Sequence, residues 1–280
     1  MKLKNVLIVV LLMCISSIYG RNNVVEKNFY EQFNQLYFND SISAARQLLD
    51  GWANIGQREG DYYVCQFNYY LNLSLKSSVT LTTELPLYAY GTNYFTMQDT
   101  INGGVAGYMY EGYFVVDSML LDSAFYWVNK GIDKCPNRLD LYFGLATCCL
   151  YCDKIDEMIG ILENVMKQDR KNKGKWLWTN NEKMPKSTDA IYSRIQEDFP
   201  RFVDAGELDK AEKLAKLVLK YYPKRAEYWN NLGVVFYMRG DFVGALPYFK
   251  KALELNPEDE YVRGNIELVE EMMLSTEEIQ

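Results

Sequence analysis

Between Ala226 and Asp259 the chain sets large and small apolar residues at intervals that a pair of packed helices satisfies. Trp229, Leu232 and Phe236 fall on one face of a first helix by its 3.6-residue period. Gly240 follows as a left-handed stop, and Asp241 stands ready to cap the next helix,. Phe249 and Ala252 continue the apolar face of that second helix, and Pro257 ends it,. Gly233 and Ala245 are small where two antiparallel helices must approach closely. Pro247 falls inside the second helix and is expected to bend it,. Such a pair cannot bury both of its faces, so neighbours of the same kind must stack on it.

The positions of Trp229, Leu232, Gly233, Phe236, Ala245, Phe249, Ala252 and Pro257 resemble the 34-residue signature of the tetratricopeptide repeat (TPR). Phe236 stands where that family more often has Tyr. Subtracting one repeat length places Gly206, Leu208, Ala211 and Pro223 in the same slots, so residues 192–225 read as a second copy,. Its first helix departs from the pattern at Asp198, Phe199 and Pro200. Upstream, Gly112, Ala124 and Pro136 keep the spacing over 105–138, and Tyr142, Leu145 and Ala146 keep it over 139–172. Residues 24–38, 41–55 and 61–75 read as three more amphipathic helices,.

The resemblance implies an all-α fold, an α-solenoid of TPR-like helical hairpins with two non-repeat insertions. The expected division is a signal peptide over 1–20, degenerate TPR-like helices over 21–76, and a loop or hairpin insertion over 77–104. Two TPR-like repeats follow over 105–172, a linker insertion over 173–191, and two TPR repeats over 192–259. Residues 260–280 form a capping helix and tail, with Val262, Ile266, Val269 and Met273 on its apolar face and Glu267, Glu270 and Glu271 on the other. A polar-backed terminal helix closes the open end of a repeat array.

The first twenty residues carry an export signature. Lys2 and Lys4 precede an apolar run from Val6 to Ile15, and Ser16, Ser17 and Gly20 supply small residues for cleavage before Arg21,. The run is too short to span a bilayer comfortably. Localisation is therefore expected outside the cytoplasm, in a bacterial periplasm or cell envelope, or secreted. Cys14 follows Leu11, Leu12 and Met13 in the manner of a lipobox, and is the residue through which lipidation and membrane association would occur,. Met13 argues against it, because a small residue normally precedes such a cysteine.

Removal of Lys2 and Lys4 takes the formal charge from −7 to −9. An acidic surface of this kind repels phosphate backbones, so nucleic acid is excluded as a partner. Of the 6 cysteines, Cys65, Cys135, Cys148, Cys149 and Cys152 lie beyond the signal. An odd number in an exported chain leaves at least one thiol unpaired or intermolecular. Cys148 and Cys152 share a helix face and are open to a metal or redox reading. As small apolar fillers between helices they need neither.

The sequence contains 0 histidines. That removes Ser-His-Asp and Cys-His nucleophile systems and histidine-ligated zinc. No GxxxxGK[ST] phosphate loop is present,. No catalytic, metal-binding or cofactor-binding residue is assigned, and no cofactor is expected. The resemblance points to a non-catalytic scaffold for an unidentified protein or peptide, held on the inner face built from the first helix of each pair. The partner-facing residues it implies are Asp140, Phe143 and Thr147 in one repeat and Glu227, Asn230, Val234 and Tyr237 in another. Two alternatives stand beside it: a lipid-anchored envelope assembly protein, and a carbohydrate- or small-ligand-binding accessory protein using Trp176 and Trp178 as stacking surfaces,.

Overall fold

The computed structural model describes residues 24–54, 59–90 and 94–277, so the signal read over 1–20 and Cys14 lie outside the described residues. The chain divides into two compact units, one of residues up to 84 together with 93–188, the other of residues 85–92 and 189–280. The first unit holds α1 (Val24–Phe38), α2 (Ile42–Asn54), α3 (Gly60–Ser74), α4 (Ser118–Lys134), α5 (Leu139–Tyr151) and α6 (Ile155–Asn172). It also holds β1 (Leu75–Thr82), β2 (Tyr94–Gln98), β3 (Val105–Val115) and the short pair β4 (Leu177–Trp178) and β5 (Glu182–Lys183). The second unit is built from α7 (Ser187–Asp204), α8 (Leu208–Tyr221), α9 (Ala226–Met238), α10 (Phe242–Leu255) and α11 (Glu260–Glu277), with a single 3-10 turn at Leu87–Ala89. Helix dominates both units, as expected of an all-α array of hairpins.

One turn design joins the helices of four pairs. Asp40, Asp153, Gly206 and Gly240 all take positive φ, at 56°, 56°, 74° and 77°. In each turn the following residue closes a bond back into the preceding helix. Ser41 N–H reaches the Leu36 carbonyl at 2.9 Å, and Lys154 N–H the Cys149 carbonyl at 2.8 Å. Glu207 N–H reaches the Phe202 carbonyl at 2.8 Å, and Asp241 N–H the Phe236 carbonyl at 3.0 Å. This is the Schellman stop, which satisfies carbonyls that the helix end would leave open. The Asp241 carboxylate accepts the Gly244 N–H at 2.8 Å and caps α10 as the sequence indicates,.

In the repeat over 226–259, Ala245, Phe249 and Ala252 form one buried cluster with Val262 and Val269 of α11. Gly233 is held to glycine by proximity, since a Cβ there would lie 2.5 Å from the Phe249 ring. Trp229 is half-buried. It stacks against Tyr248 at 6.2 Å and donates its indole N–H to the Pro223 carbonyl at 2.9 Å. Helix α10 runs on through Pro247 to Leu255. Pro247 and Val243, whose carbonyl loses its helical donor there, are both exposed,.

The reading of 105–138 as a helical pair is corrected at its first half. Val105–Val115 is the central strand of a sheet ordered β1-β3-β2, antiparallel on both sides. The segment VAGYMYEGYFV is rich in tyrosine, phenylalanine and valine and carries three tyrosines, which favours strand over helix. Its second half is helical as expected: α4 buries Ala124. The helix that packs against α4 is α3, so the sheet is an insertion between the two helices of one hairpin. Of the loop or hairpin expected over 77–104, β1 and β2 belong to this sheet, and Leu87–Ala89 is a 3-10 turn outside it.

Candidate functional site

In the second unit α7 and α9 lie side by side, and an open cleft of about 300 Å³ runs along them. Asp189, Tyr192, Ser193 and Gln196 line it from α7, Glu227 and Tyr228 from α9, and Arg225 from the turn before α9. On α7 these residues fall three and four apart, so they share one face of that helix,. The Arg225 guanidinium lies 3.4 Å above the Tyr192 ring and pairs with the Asp189 carboxylate at 3.0 Å. Partial burial works against the Arg225 charge, but hydrogen bonding to Tyr192 and Asp189 more than offsets it and holds the guanidinium firmly protonated,. The Tyr192 ring meets Tyr222 edge-on at 4.7 Å, and the Tyr228 hydroxyl donates to the Tyr192 carbonyl at 3.2 Å. These contacts give the cleft an aromatic and cationic wall.

Gln196 is the one amide in the lining, and further side-chain amides stand behind it. Asn231 donates its side-chain N–H to the Gln196 carbonyl oxygen at 3.1 Å, and Asn265 of α11 donates to Asn230 at 2.9 Å. An amide offers two donors and an acceptor. Gln196 therefore brings an NH2 group to the cleft while its oxygen is engaged. Such a lining matches the alternating N–H and C=O groups of an extended peptide.

The sequence-assigned residues divide between the two units. Glu227 is exposed and lines the cleft. Asn230 is half-buried beside it, and Val234 and Tyr237 pack partly on the Phe249 cluster. Asp140, Phe143 and Thr147 do not form an open groove. They are buried to 5%, 9% and 9% exposure. Asp140 is consumed by Arg138, which donates from Nε at 3.0 Å and from Nη2 at 2.6 Å. The chain's own segment after α6 supplies the rest of the cover. Trp178 meets Phe143 edge-on at 6.1 Å, and the Thr179 hydroxyl donates to Asp140 at 3.4 Å.

This segment also removes the stacking platform assumed for a sugar ligand. Trp176 is buried, donates its indole N–H to Asp169 at 2.8 Å and meets Tyr142 edge-on at 5.6 Å. Cys65, Cys135, Cys148, Cys149 and Cys152 are all thiols. A hydrogen bond from Cys148 to the Cys152 sulfur raises the first thiol and lowers the second, and burial pushes Cys149 up to about 12. No cluster of three or more metal-ligating side chains occurs among the described residues.

The residues missed from sequence are Asp189, Tyr192, Ser193, Gln196, Arg225 and Tyr228. Ser193 and Gln196 precede Glu227 and Asn230 by one repeat length,. That subtraction would have found them. Asp198, Phe199 and Pro200 hid it by breaking the signature in the same helix.

Comparison with known proteins agrees with the local pattern. The tetratricopeptide repeat family matches residues 226–259. The human protein O-mannosyl-transferase TMTC1 is 26% identical over 73 residues, which is 26% of this chain and 8% of that protein's length. Among solved structures, TTC0263, a thermophilic TPR protein of Thermus thermophilus, is 16% identical over 88% of this chain and 98% of its own, with a TM-score of 0.35. YrrB, described as a TPR protein with an unusual peptide-binding site, is 12% identical over 84% and 89%, with a TM-score of 0.36. PilW, a type IV pilus biogenesis factor, is 10% identical over 91% and 93%, with a TM-score of 0.39. These superpositions are too loose to carry an argument about the whole chain.

Proposed function

We propose that this chain is a non-catalytic scaffold that holds an extended segment of a partner protein in the cleft between α7 and α9. The observation that carries the reading is the lining itself: a guanidinium stacked on tyrosine, the carboxylates of Asp189 and Glu227, and the Gln196 amide held by Asn231. Backbone carbonyls of a peptide would bond to the Gln196 NH2 group, and a side chain of the peptide would lie against Tyr192 and Arg225. Absence of histidine from the whole sequence leaves the cleft without the commonest proton carrier,, which supports binding over chemistry. An acidic chain of formal charge −7 favours protein over nucleic acid as the partner.

Selection of displayed random peptides on the intact protein tests this. Selected peptides should lose at least ~10-fold in affinity on Arg225→Ala or Gln196→Ala, and all detectable binding on Ser193→Trp, which fills the cleft. Peptides that bind the Ser193→Trp protein as well as the original would refute the assignment.

The apolar run after Lys2 and Lys4 supports a further part of the proposal, that residues 1–20 direct export and are removed,. A mature chain with a free amine on Arg21 is the expected result of N-terminal sequencing. An acylated Cys14 at the terminus would assign the chain to the membrane surface instead.

A further inference from the structure

The sheet of the first unit has two faces of opposite character. One carries Thr80, Tyr110 and Tyr94 in a single cross-strand row, and Tyr110 is buried. The other carries Leu81, Met109 and Phe95 in the next row. On that face Leu81 and Phe95 remain 65% and 67% exposed, and Val79 and Met97 are exposed beside them. A contiguous apolar patch left open in this way marks an interaction surface.

The edges of the sheet differ as well. β1 carries Lys76, the kind of charge that blunts an edge against further pairing,. β2 reads YFTMQ, with no charge and no proline, and all five of its residues are exposed. It is an unprotected edge, and the apolar row ends on it.

We propose that β2 pairs antiparallel with β2 of a second copy of this chain, across a twofold axis at Thr96. The strand is complementary to itself in this register. Thr96 meets Thr96, and Phe95 meets Met97 of the other copy. Directly opposed residues in an antiparallel pair share a face, so the apolar face of one copy continues into the apolar face of the next. A shift by one residue would oppose apolar and polar faces. A shift by two in one direction would set Phe95 against Asp99, whose carboxylate already holds the Ile101 and Asn102 N–H groups. The second copy is favoured over a foreign strand by the register just given, in which the strand complements itself, and charge does not oppose it locally. The chain carries a formal −7 and repels its own kind over most of its surface,, whereas this strand meets itself with no charge on either side. The result is a six-stranded sheet with one isologous junction.

Sedimentation of the intact protein from micromolar to hundreds of micromolar tests the proposal. A concentration-dependent dimer is expected. The Phe95→Lys/Met97→Lys and Phe95→Glu/Met97→Glu proteins should each be monomeric, because the register sets like charges face to face. Mixed together they should form a heterodimer, because residue 95 of one faces residue 97 of the other. Recovery on mixing also shows that neither variant has lost its fold. A wild-type monomer at every concentration overturns the proposal. So does a dimer that survives either double substitution, which would place the interface elsewhere, and so does failure of the mixture to associate. Dimerisation is read independently of peptide binding to the α7–α9 cleft, so failure of one assignment leaves the other standing.

Discussion

Arg138 is a guanidinium with no route to solvent. It donates to Asp140 twice, to Asp61 at 2.8 Å and to the Asn181 side chain at 3.3 Å, and the Asn180 N–H closes the ring by donating to Asp61 at 3.0 Å. Gly60 lies beneath it, where a Cβ would come within 2.0 Å of the guanidinium. The cluster ties α3, α5 and the segment after α6 together. Removing the cation strands two buried carboxylates, so Arg138→Ala should cost about 3–5 kcal/mol, read from urea unfolding of the full chain. Asp61 behaves differently. Burial raises its carboxyl above the ordinary 3.8, even though Arg138 and the Asn180 N–H pull the other way,. A raised folded value means that the folded state holds the proton more tightly. The contribution of Asp61 to stability is therefore greatest below 3.8 and falls as pH rises through the shifted value. Asn keeps the acceptor oxygen without the charge. The unfolding midpoint of Asp61→Asn should thus gain on the wild type as pH rises above 3.8,; a gap that shrinks as pH rises would mean that the ion pair is net stabilising. None of this cluster is legible in the sequence. Asp61 lies 77 positions from Arg138, and an aspartate on the first turn of a helix reads as an ordinary solvated residue. Asp140 reads as groove-facing because it takes the repeat slot that Glu227 holds,.

At the scale of the element, the four equivalent turns explain which repeats could be read and which could not. Gly206 and Gly240 announce their turns because glycine takes positive φ without a steric cost,. Asp40 and Asp153 take the same φ of 56° with a Cβ present, and the signature there fades although the backbone is the same. Aspartate visits this region at a cost of about 1 kcal/mol relative to glycine. Two reciprocal outcomes follow. Gly240→Ala should destabilise by about 1 kcal/mol, and Asp153→Gly should stabilise by about the same amount, both measured by thermal unfolding. A loss of stability in Asp153→Gly would show that the carboxylate does more in the turn than tolerate it. The sheet was unreadable for another reason. Gly112, Ala124 and Pro136 keep the repeat spacing, so spacing alone extended the helical reading across a segment whose valine and aromatic content favours strand.

Across the whole molecule, chain order and unit membership part company at one place. Residues 85–92 belong with 189–280 and not with the strands on either side of them. Tyr88 and Ala89 are buried there. Arg201 of α7 holds the segment from the other side by donating to the Tyr88 carbonyl at 2.9 Å and to the Tyr90 carbonyl. The partners are 113 positions apart, beyond anything that periodicity reports, and the repeat signature is already broken around Pro200. Hydrogen bonds from a charged donor contribute about 1.5–3 kcal/mol each, so the clasp is strong relative to a three-residue turn. Arg201→Ala removes both bonds and leaves Arg194 to pair with Asp198 at 2.6 Å, so α7 keeps its own ion pair. Chymotrypsin should therefore cut after Tyr88 or Tyr90 in Arg201→Ala under native conditions, while the wild-type chain resists at both sites. Equal resistance in the two proteins would show that burial of Tyr88 and Ala89 holds the segment without the guanidinium.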